Sequence, residues 1–340
     1  MPIFAVTSAQ DFVRLVSDLP GVDMLAHDKA VSRQASLTKP AGSLGRLEEL
    51  AIWLAGWQGK EVPSITKPCC LVFAGNHGVA AQGVSAFPSE VTAQMVSNFK
   101  NGGAAINQLA RLAGAEFKVI ELELDQPTED FTIAPAMSEA ECCAAIQAGA
   151  DAIPDQADFL LLGEMGIGNT TSAAALAMAI FGGKASEWVG AGTGLDATGL
   201  ARKVEVVSRA INHHQPEKLS AFECLRTFGG RELAAIVGAT LAARHCRIPV
   251  MLDGFITTAA AAVMVRVNPF SLDHVMIGHM SAELGHKRLA MELNKRPLLD
   301  LDMRLGEASG AVVALMIVQA ALATHQGMAT FDQAKVSPHD

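Results

Sequence analysis

Short, unbroken apolar runs recur from residue 68 onward, each ending in a glycine-rich or polar turn and bordered by helical stretches. Cys69-Cys70-Leu71-Val72-Phe73-Ala74 runs into Gly75-Asn76-His77-Gly78. Lys118-Val119-Ile120-Glu121-Leu122 follows a helical stretch, 89–113, broken at Gly102-Gly103. Phe159-Leu160-Leu161-Leu162 runs into Gly163-Glu164-Met165-Gly166-Ile167-Gly168-Asn169-Thr170-Thr171. Trp188-Val189 leads to Gly190-Ala191-Gly192-Thr193-Gly194, Pro249-Val250-Met251-Leu252 to Asp253-Gly254, and His274-Val275-Met276-Ile277 to Gly278-His279. Runs without polar alternation mark strands buried on both faces. Alternating with helices, they predict right-handed βαβ units and an α/β fold, a parallel Rossmann-like sheet of about six strands flanked by helices. Ligands of such sheets bind outside the carboxyl ends of the strands, so the chemistry is expected in these turns.

Residues 1–60 and the stretch after Glu307 carry no such strands and read as helices. Ser8 is a candidate cap for a helix that turns Phe12, Leu15 and Val16 inward; Ser43 is one for a helix burying Leu47, Leu50, Ile52 and Trp53. Together these segments predict a small helical domain, 1–60 plus 308–340, beside a large α/β domain, 61–307, that carries the active site. The longest apolar run, 311–323, contains Gln319. It falls short of the roughly 20 apolar residues a bilayer span needs and reads as a buried helix. Residues 1–10 show no basic and apolar leader pattern, and the expected location is the cytoplasm.

Half of the 340 residues are hydrophobic and 18% are charged, enough to bury a sizeable core. A net charge of -9 argues against nucleic acid or an anionic membrane surface as the main partner, though not against a small anion in one basic pocket. The six cysteines include two adjacent pairs and no CxxC, which suits reduced, buried thiols. His279 and His286 could share a helical face and His213 adjoins His214, but no HExxH or cysteine cluster accompanies them. Asp300 and Asp302 also lack the other parts of a metal site, and no metal or cofactor is expected.

The turn 163–171 follows a buried strand and opens a helix, where backbone N–H groups, threonine hydroxyls and the positive helix end can hold a phosphate. It lacks the lysine of a nucleoside-triphosphate P-loop. Taken alone, it fits equally a tight turn that needs glycine for positive φ. The turn 190–194 is an incomplete dinucleotide fingerprint, and Lys203 downstream reads either as a phosphate partner or as a solvated helix residue. Glu307, just ahead of the last apolar helix, reads as a dipole or capping carboxylate or, functionally, as a general base.

In this order, these segments resemble the nicotinate-nucleotide–dimethylbenzimidazole phosphoribosyltransferase family. The resemblance runs from about Lys39 to Ala323. It is carried by Lys39-Pro40-Ala41-Gly42-Ser43-Leu44-Gly45-Arg46-Leu47-Glu48, Gly75-Asn76-His77-Gly78-Val79, Gly83-Val84-Ser85-Ala86-Phe87-Pro88 and 163–171, then by 190–196, Asp253-Gly254-Phe255-Ile256, His279-Met280-Ser281-Ala282-Glu283 and Leu305-Gly306-Glu307. The chain departs from the family pattern at Asn76, usually Asp, and at Ala41, often Pro. The first departure removes any charge-dependent role at that position.

The resemblance implies phosphoribosyl transfer from nicotinate mononucleotide to 5,6-dimethylbenzimidazole, giving nicotinate and the α-ribazole 5'-phosphate of the cobalamin lower ligand. The donor's pyridinium leaves as a neutral ring and carries no pyrophosphate that would call for a magnesium loop. Glu307 matches the family's general base, which takes the proton from the second acceptor nitrogen. Gly166, Gly168, Asn169 and Thr170 would hold the phosphate, with Lys203 and Ser281 as helpers and Glu164 near the ribose or nicotinate. Ser85, Phe87 and Gln94 would line the acceptor pocket. A homodimer is implied, with the apolar N-terminal helices as a contact surface. Two other readings stay open: a non-catalytic mononucleotide or benzimidazole sensor on the same fold, and an NAD-type oxidoreductase resting on 190–194 alone.

Overall fold

The computed structural model describes residues 4–192 and 194–337, so Thr193 of the second glycine-rich turn lies outside the described residues. Five parallel strands form the main sheet: β1 (Pro68–Ala74), β2 (Glu116–Glu121), β3 (Phe159–Met165), β4 (Val250–Leu252) and β5 (Val275–Ile277). Their order is β2-β1-β3-β4-β5. β1 and β4 are buried along their whole length and β3 as far as Glu164, as their continuous apolar composition requires. β2 is an edge strand. Its exposed Glu116, Lys118 and Glu121 form ion pairs, Lys118 with Glu116 and Lys100 with Glu121, that blunt the edge against further pairing.

The sheet has five strands rather than six because Trp188-Val189 is not a strand. Trp188 ends the short helix Ala185–Trp188, its indole Nε1 donating to Gly182 O, and Val189 N donates back to Ala185 O. A separate parallel pair, β6 (His279–Met280) with β7 (Leu299–Asp300), continues the chain beyond β5.

Alternate strand residues feed two apolar layers. Cys69, Leu71 and Phe73 of β1 with Leu160 and Leu162 of β3 face helices Glu139–Asp151, Asn169–Phe181 and Arg231–His245. Cys70 and Val72 with Phe159, Leu161 and Met251 face helices Arg46–Gln58, Ala105–Ala113 and Ser309–Gly327. Helix Arg46–Gln58 also packs on helix Met24–Ser36, whereas helix Ala9–Ser17 lies on helix Ala221–Phe228 through Phe12 and Phe222, ring centroids 5.9 Å apart. Among the described residues, Ser309–Gly327 is the one helix long and apolar enough to cross a membrane; here half of it is buried against the sheet and its neighbours.

Ser8 caps its helix as expected, accepting from Asp11 N. Ser43 does not. Gly42 and Gly45 both take positive φ and turn the chain, so the helix starts at Arg46 behind Gly45 and without a side-chain cap. The carboxyl ends of β3 and β4 lead into Gly166 and Asp253, which line one cleft together with His279 beyond β5. The strand order reverses between β1 and β3, where a ligand crevice is expected in such sheets.

Candidate active site

The end of β3 and the turn after it owe their shape to three glycines used in two ways. Gly168 sits at φ 96°, a left-handed conformation that costs glycine nothing. Gly163 and Gly166 serve close approach instead. A Cβ on Gly163 would lie 2.2 Å from Ala308 N, and one on Gly166 2.5 Å from Gly75 O. Buried Thr92 pins the turn from a neighbouring helix, its Oγ1 accepting from Ile167 N at 3.1 Å. Gly168 offers helix Asn169–Phe181 no side-chain cap, so the positive end of that helix is left for another acceptor.

Two cations flank this turn. Lys203, on helix Ala197–His214, is fully buried rather than solvated, and its Nζ donates to Thr170 Oγ1 at 2.7 Å and to Gly190 O at 3.2 Å. Burial pulls its ammonium down to about 8, partly offset by the charge of Glu283. Arg304 Nη1 donates to Gly192 O at 3.0 Å. Gly192, at φ 58°, thus lies between the arginine and the Thr170–Lys203 pair.

The opposite wall is the loop before helix Ser309–Gly327. Gly306, Glu307 and Ala308 take φ of 82°, 61° and 62°, three successive left-handed residues. Such backbone strain in non-glycine residues persists only where the surroundings enforce it, and it clusters at functional sites. Here β3 enforces it: Gly163 admits Ala308 against the strand, and a Cβ on Gly306 would come within 2.5 Å of Glu164 Oε1. The kink leaves Glu307 5% exposed.

Two carboxyl groups in this cleft hold their protons differently. Burial, reinforced by the charges of Asp253 and Glu232, pushes Glu164 well above the usual range, and the hydrogen bond from Asn169 Nδ2 only partly opposes this. Glu307 is pushed up to about 7, by burial first and then by Asp253. Carboxyl groups whose environments separate their proton affinities divide acid and base roles. Glu307 can accept a proton near neutrality, while Glu164 holds its proton more firmly than an ordinary carboxyl. Beneath the turn, Glu232 and His77 form a buried pair, Oε1 to Nε2 2.5 Å.

Of the residues expected from sequence, Glu164, Gly166, Asn169, Thr170 and Ser281 line one cavity, closed by Gly306 ahead of Glu307. Gly168, Lys203 and Ser85 line an adjoining one that shares Gly166, Asn169 and Thr170. Ser85 therefore sits beside the phosphate turn, its Oγ accepting from Phe87 N at 3.2 Å. Phe87, 48% exposed, and Gln94, on the exposed side of helix Glu90–Lys100, face solvent. Asn76 Nδ2 donates to Leu124 O at 2.9 Å, a bond an aspartate could not make.

Arg304, Asp253, His279 and Glu283 also line the main cavity and were not assigned roles from sequence. Asp253 directly follows the apolar end of β4 and His279 stands one glycine beyond that of β5, a positional signal that could have found them. Arg304 carried no such signal. His279 and His286 do not share a helical face: one lies in β6, the other in helix Leu284–Glu292, with ring centroids 6.5 Å apart. His286 instead accepts from Ser281 N at Nδ1, 2.8 Å away.

The sequence model of a family described as "Phosphoribosyltransferase" matches residues 19–336. A curated nicotinate-nucleotide–dimethylbenzimidazole phosphoribosyltransferase of Ruegeria pomeroyi is 56% identical over 333 residues, 98% of each chain. Its namesake from Mesorhizobium japonicum is 56% identical over 320 residues, 94% of this chain and 95% of the other. A crystal structure of CobT from Thermus thermophilus superposes with TM-score 0.87 at 41% identity, covering 93% of this chain and all of that one. With so many residues shared over nearly its whole length, and the same overall fold, the chain belongs to the nicotinate-nucleotide–dimethylbenzimidazole phosphoribosyltransferase family.

Proposed function

We propose that the protein transfers phosphoribosyl from nicotinate mononucleotide to 5,6-dimethylbenzimidazole, giving nicotinate and α-ribazole 5'-phosphate for the lower ligand of cobalamin. The observation that carries this reading is the pairing, across one cleft, of a cation-flanked glycine turn with a buried carboxyl tuned to about 7. The donor's 5'-phosphate binds at Gly166, Gly168, Asn169 and Thr170, where Lys203 and Arg304 balance its charge, and Ser281 contributes from the opposite side. Holding the phosphate remote from the reacting bond orients C1′ and uses binding energy away from the chemistry. Glu164, whose proton burial holds more firmly than in an ordinary carboxyl, faces the ribose or the nicotinate.

The chemistry then needs little from the protein beyond position and one base. The C1′–N bond to the pyridinium breaks as a ring nitrogen of the acceptor bonds to C1′, and nicotinate leaves with the electron pair. The acceptor's other nitrogen loses its proton to Glu307, which also offsets the positive charge growing on the ring. Ser85 and Phe87, with Gln94 at the rim, form the acceptor side, and exposed Phe87 is free to cover a flat base. A donor that is a free mononucleotide and an acceptor that is a free base suit a cytoplasmic enzyme. Exposed Met24, Leu25 and Val31 on helix Met24–Ser36 support a homodimer, and sedimentation as a stable monomer at low concentration would contradict that.

The base assignment is tested by Glu307→Gln. Calorimetry should find both ligands bound as in the wild type, with turnover lowered at least ~10²-fold. Normal turnover in the variant would remove Glu307 from the chemistry.

A further inference from the structure

Helix Ser309–Gly327 begins immediately after Glu307, yet its N-cap, Ala308, offers no side-chain oxygen to the first turn. That function is met from another element. Asp253, at the carboxyl end of β4, accepts from Ala311 N at Oδ1, 2.9 Å away. Asp253 is 1% exposed, and its second oxygen, Oδ2, has no hydrogen-bond partner among the described residues. His279 Nε2 approaches Oδ1 to 3.5 Å, and Gly310 leaves room for that ring: a Cβ there would lie 2.0 Å from His279 Cδ2. A carboxyl group with one oxygen left unpartnered, sealed at a helix N-terminus, is an arrangement a merely structural cap would not need.

We propose that Asp253 is a positioning residue for the general base, clamping the first turn of the last helix so that Glu307 is held beside the cavity. The inference rests on reading Glu307 as the base. The clamp and Gly163 act on neighbouring residues of one turn, Ala311 and Ala308, and together hold the left-handed kink that places Glu307. The charged and titratable groups lining the cavity beside Glu307 are Asp253 after β4, Glu164 from β3, His279 from β6, Glu283 ahead of helix Leu284–Glu292 and Arg304 from its own loop. Asp253 is the neighbour whose charge raises the Glu307 carboxyl, second only to burial. One carboxylate thus sets both where Glu307 stands and how firmly it holds a proton.

Asp253→Asn keeps the shape and the acceptor for Ala311 N but removes the charge, whereas Asp253→Ala removes both. The experiment titrates the Glu307 side-chain carboxyl directly by ¹³C NMR in wild type, Asp253→Asn and Asp253→Ala, the signal being assigned by its loss in Glu307→Gln. The pH dependence of kcat/KM is followed in parallel. In Asp253→Asn the Glu307 midpoint should fall by about 1 pH unit, the scale of a like charge at close range, with the acid limb of kcat/KM moving with it. In Asp253→Ala the plateau kcat should also drop by roughly 10–100-fold, because the base is then misplaced. An unmoved Glu307 midpoint in Asp253→Asn overturns the proposal whatever the activity does. A midpoint that moves while the acid limb stays fixed upholds Asp253 as the neighbour of Glu307 and overturns Glu307 as the base.

Discussion

Adding a single methyl group to β3 at Gly163 should disable the enzyme. In Gly163→Ala the new Cβ would stand 2.2 Å from Ala308 N and 2.6 Å from Ala308 Cβ, where 3.4 Å is already close contact. Strand and loop would have to part by more than about 1 Å, and β3, paired on both sides, cannot move. The loop yields, carrying Glu307 with it. Misplacing a catalytic group by ~1 Å costs on the order of 10²-fold in rate. Overpacking by one methyl costs about 1–3 kcal/mol, a drop of a few degrees in Tm for a chain of this length. Steady-state kinetics with each substrate varied should therefore find kcat down about 100-fold with KM for nicotinate mononucleotide within about 3-fold, since the phosphate turn lies beyond the disturbed contact. The melting curve should confirm a folded protein. A variant with wild-type kcat would refute the claim that the β3–loop contact positions the base.

The pH profile of kcat/KM should rise to a plateau with a midpoint near 7, following ionisation of Glu307, and lose this limb in Glu307→Gln. The sign for stability is opposite. Because folding raises this carboxyl above its ordinary 4.5, its proton uptake favours the fold below about 4.5, and that contribution is lost as pH rises through about 7. Glu307→Gln should accordingly gain Tm relative to wild type between pH 5 and 8, and a constant difference would contradict the buried carboxyl (about one proton in linkage). Lys203→Met should raise KM for the mononucleotide roughly 10–100-fold, the range of a lost charged hydrogen bond, leaving the acceptor KM unchanged. Thr170→Val, losing only the hydroxyl that accepts from Lys203, should raise it by no more than about 10-fold. Equal effects of the last two on both substrates would place the phosphate elsewhere.

The parallel sheet was legible because buried strands need unbroken apolar runs, and the runs at 69–74, 159–162, 249–252 and 274–277 all became strands or strand cores. Trp188-Val189 misled because a two-residue run has no periodicity to separate strand from helix end. The glycines of 163–171 were visible as a ligand turn, but their reasons were not. Only Gly168 has the positive φ a local reading assigns, while Gly163 and Gly166 answer to Ala308 and Gly75, far away in sequence. Lys203 shows the same limit: nothing local distinguishes a buried lysine aimed at Thr170 from a solvated one. Arg304 and Asp253 gain their meaning from Gly192 and Ala311, partners that only the assembled sheet brings near. Residues whose role is set by their own turn could be read in advance, and those set by long-range approach could not.

The most direct test mixes the purified protein, treated with chelator, with nicotinate mononucleotide and 5,6-dimethylbenzimidazole and follows both products by mass. Nicotinate and a benzimidazole ribotide should accumulate in equal amounts, and only while both substrates are present. Release of nicotinate without ribotide, or tight binding of the mononucleotide with no turnover against any benzimidazole, would contradict phosphoribosyl transfer as the function of this site.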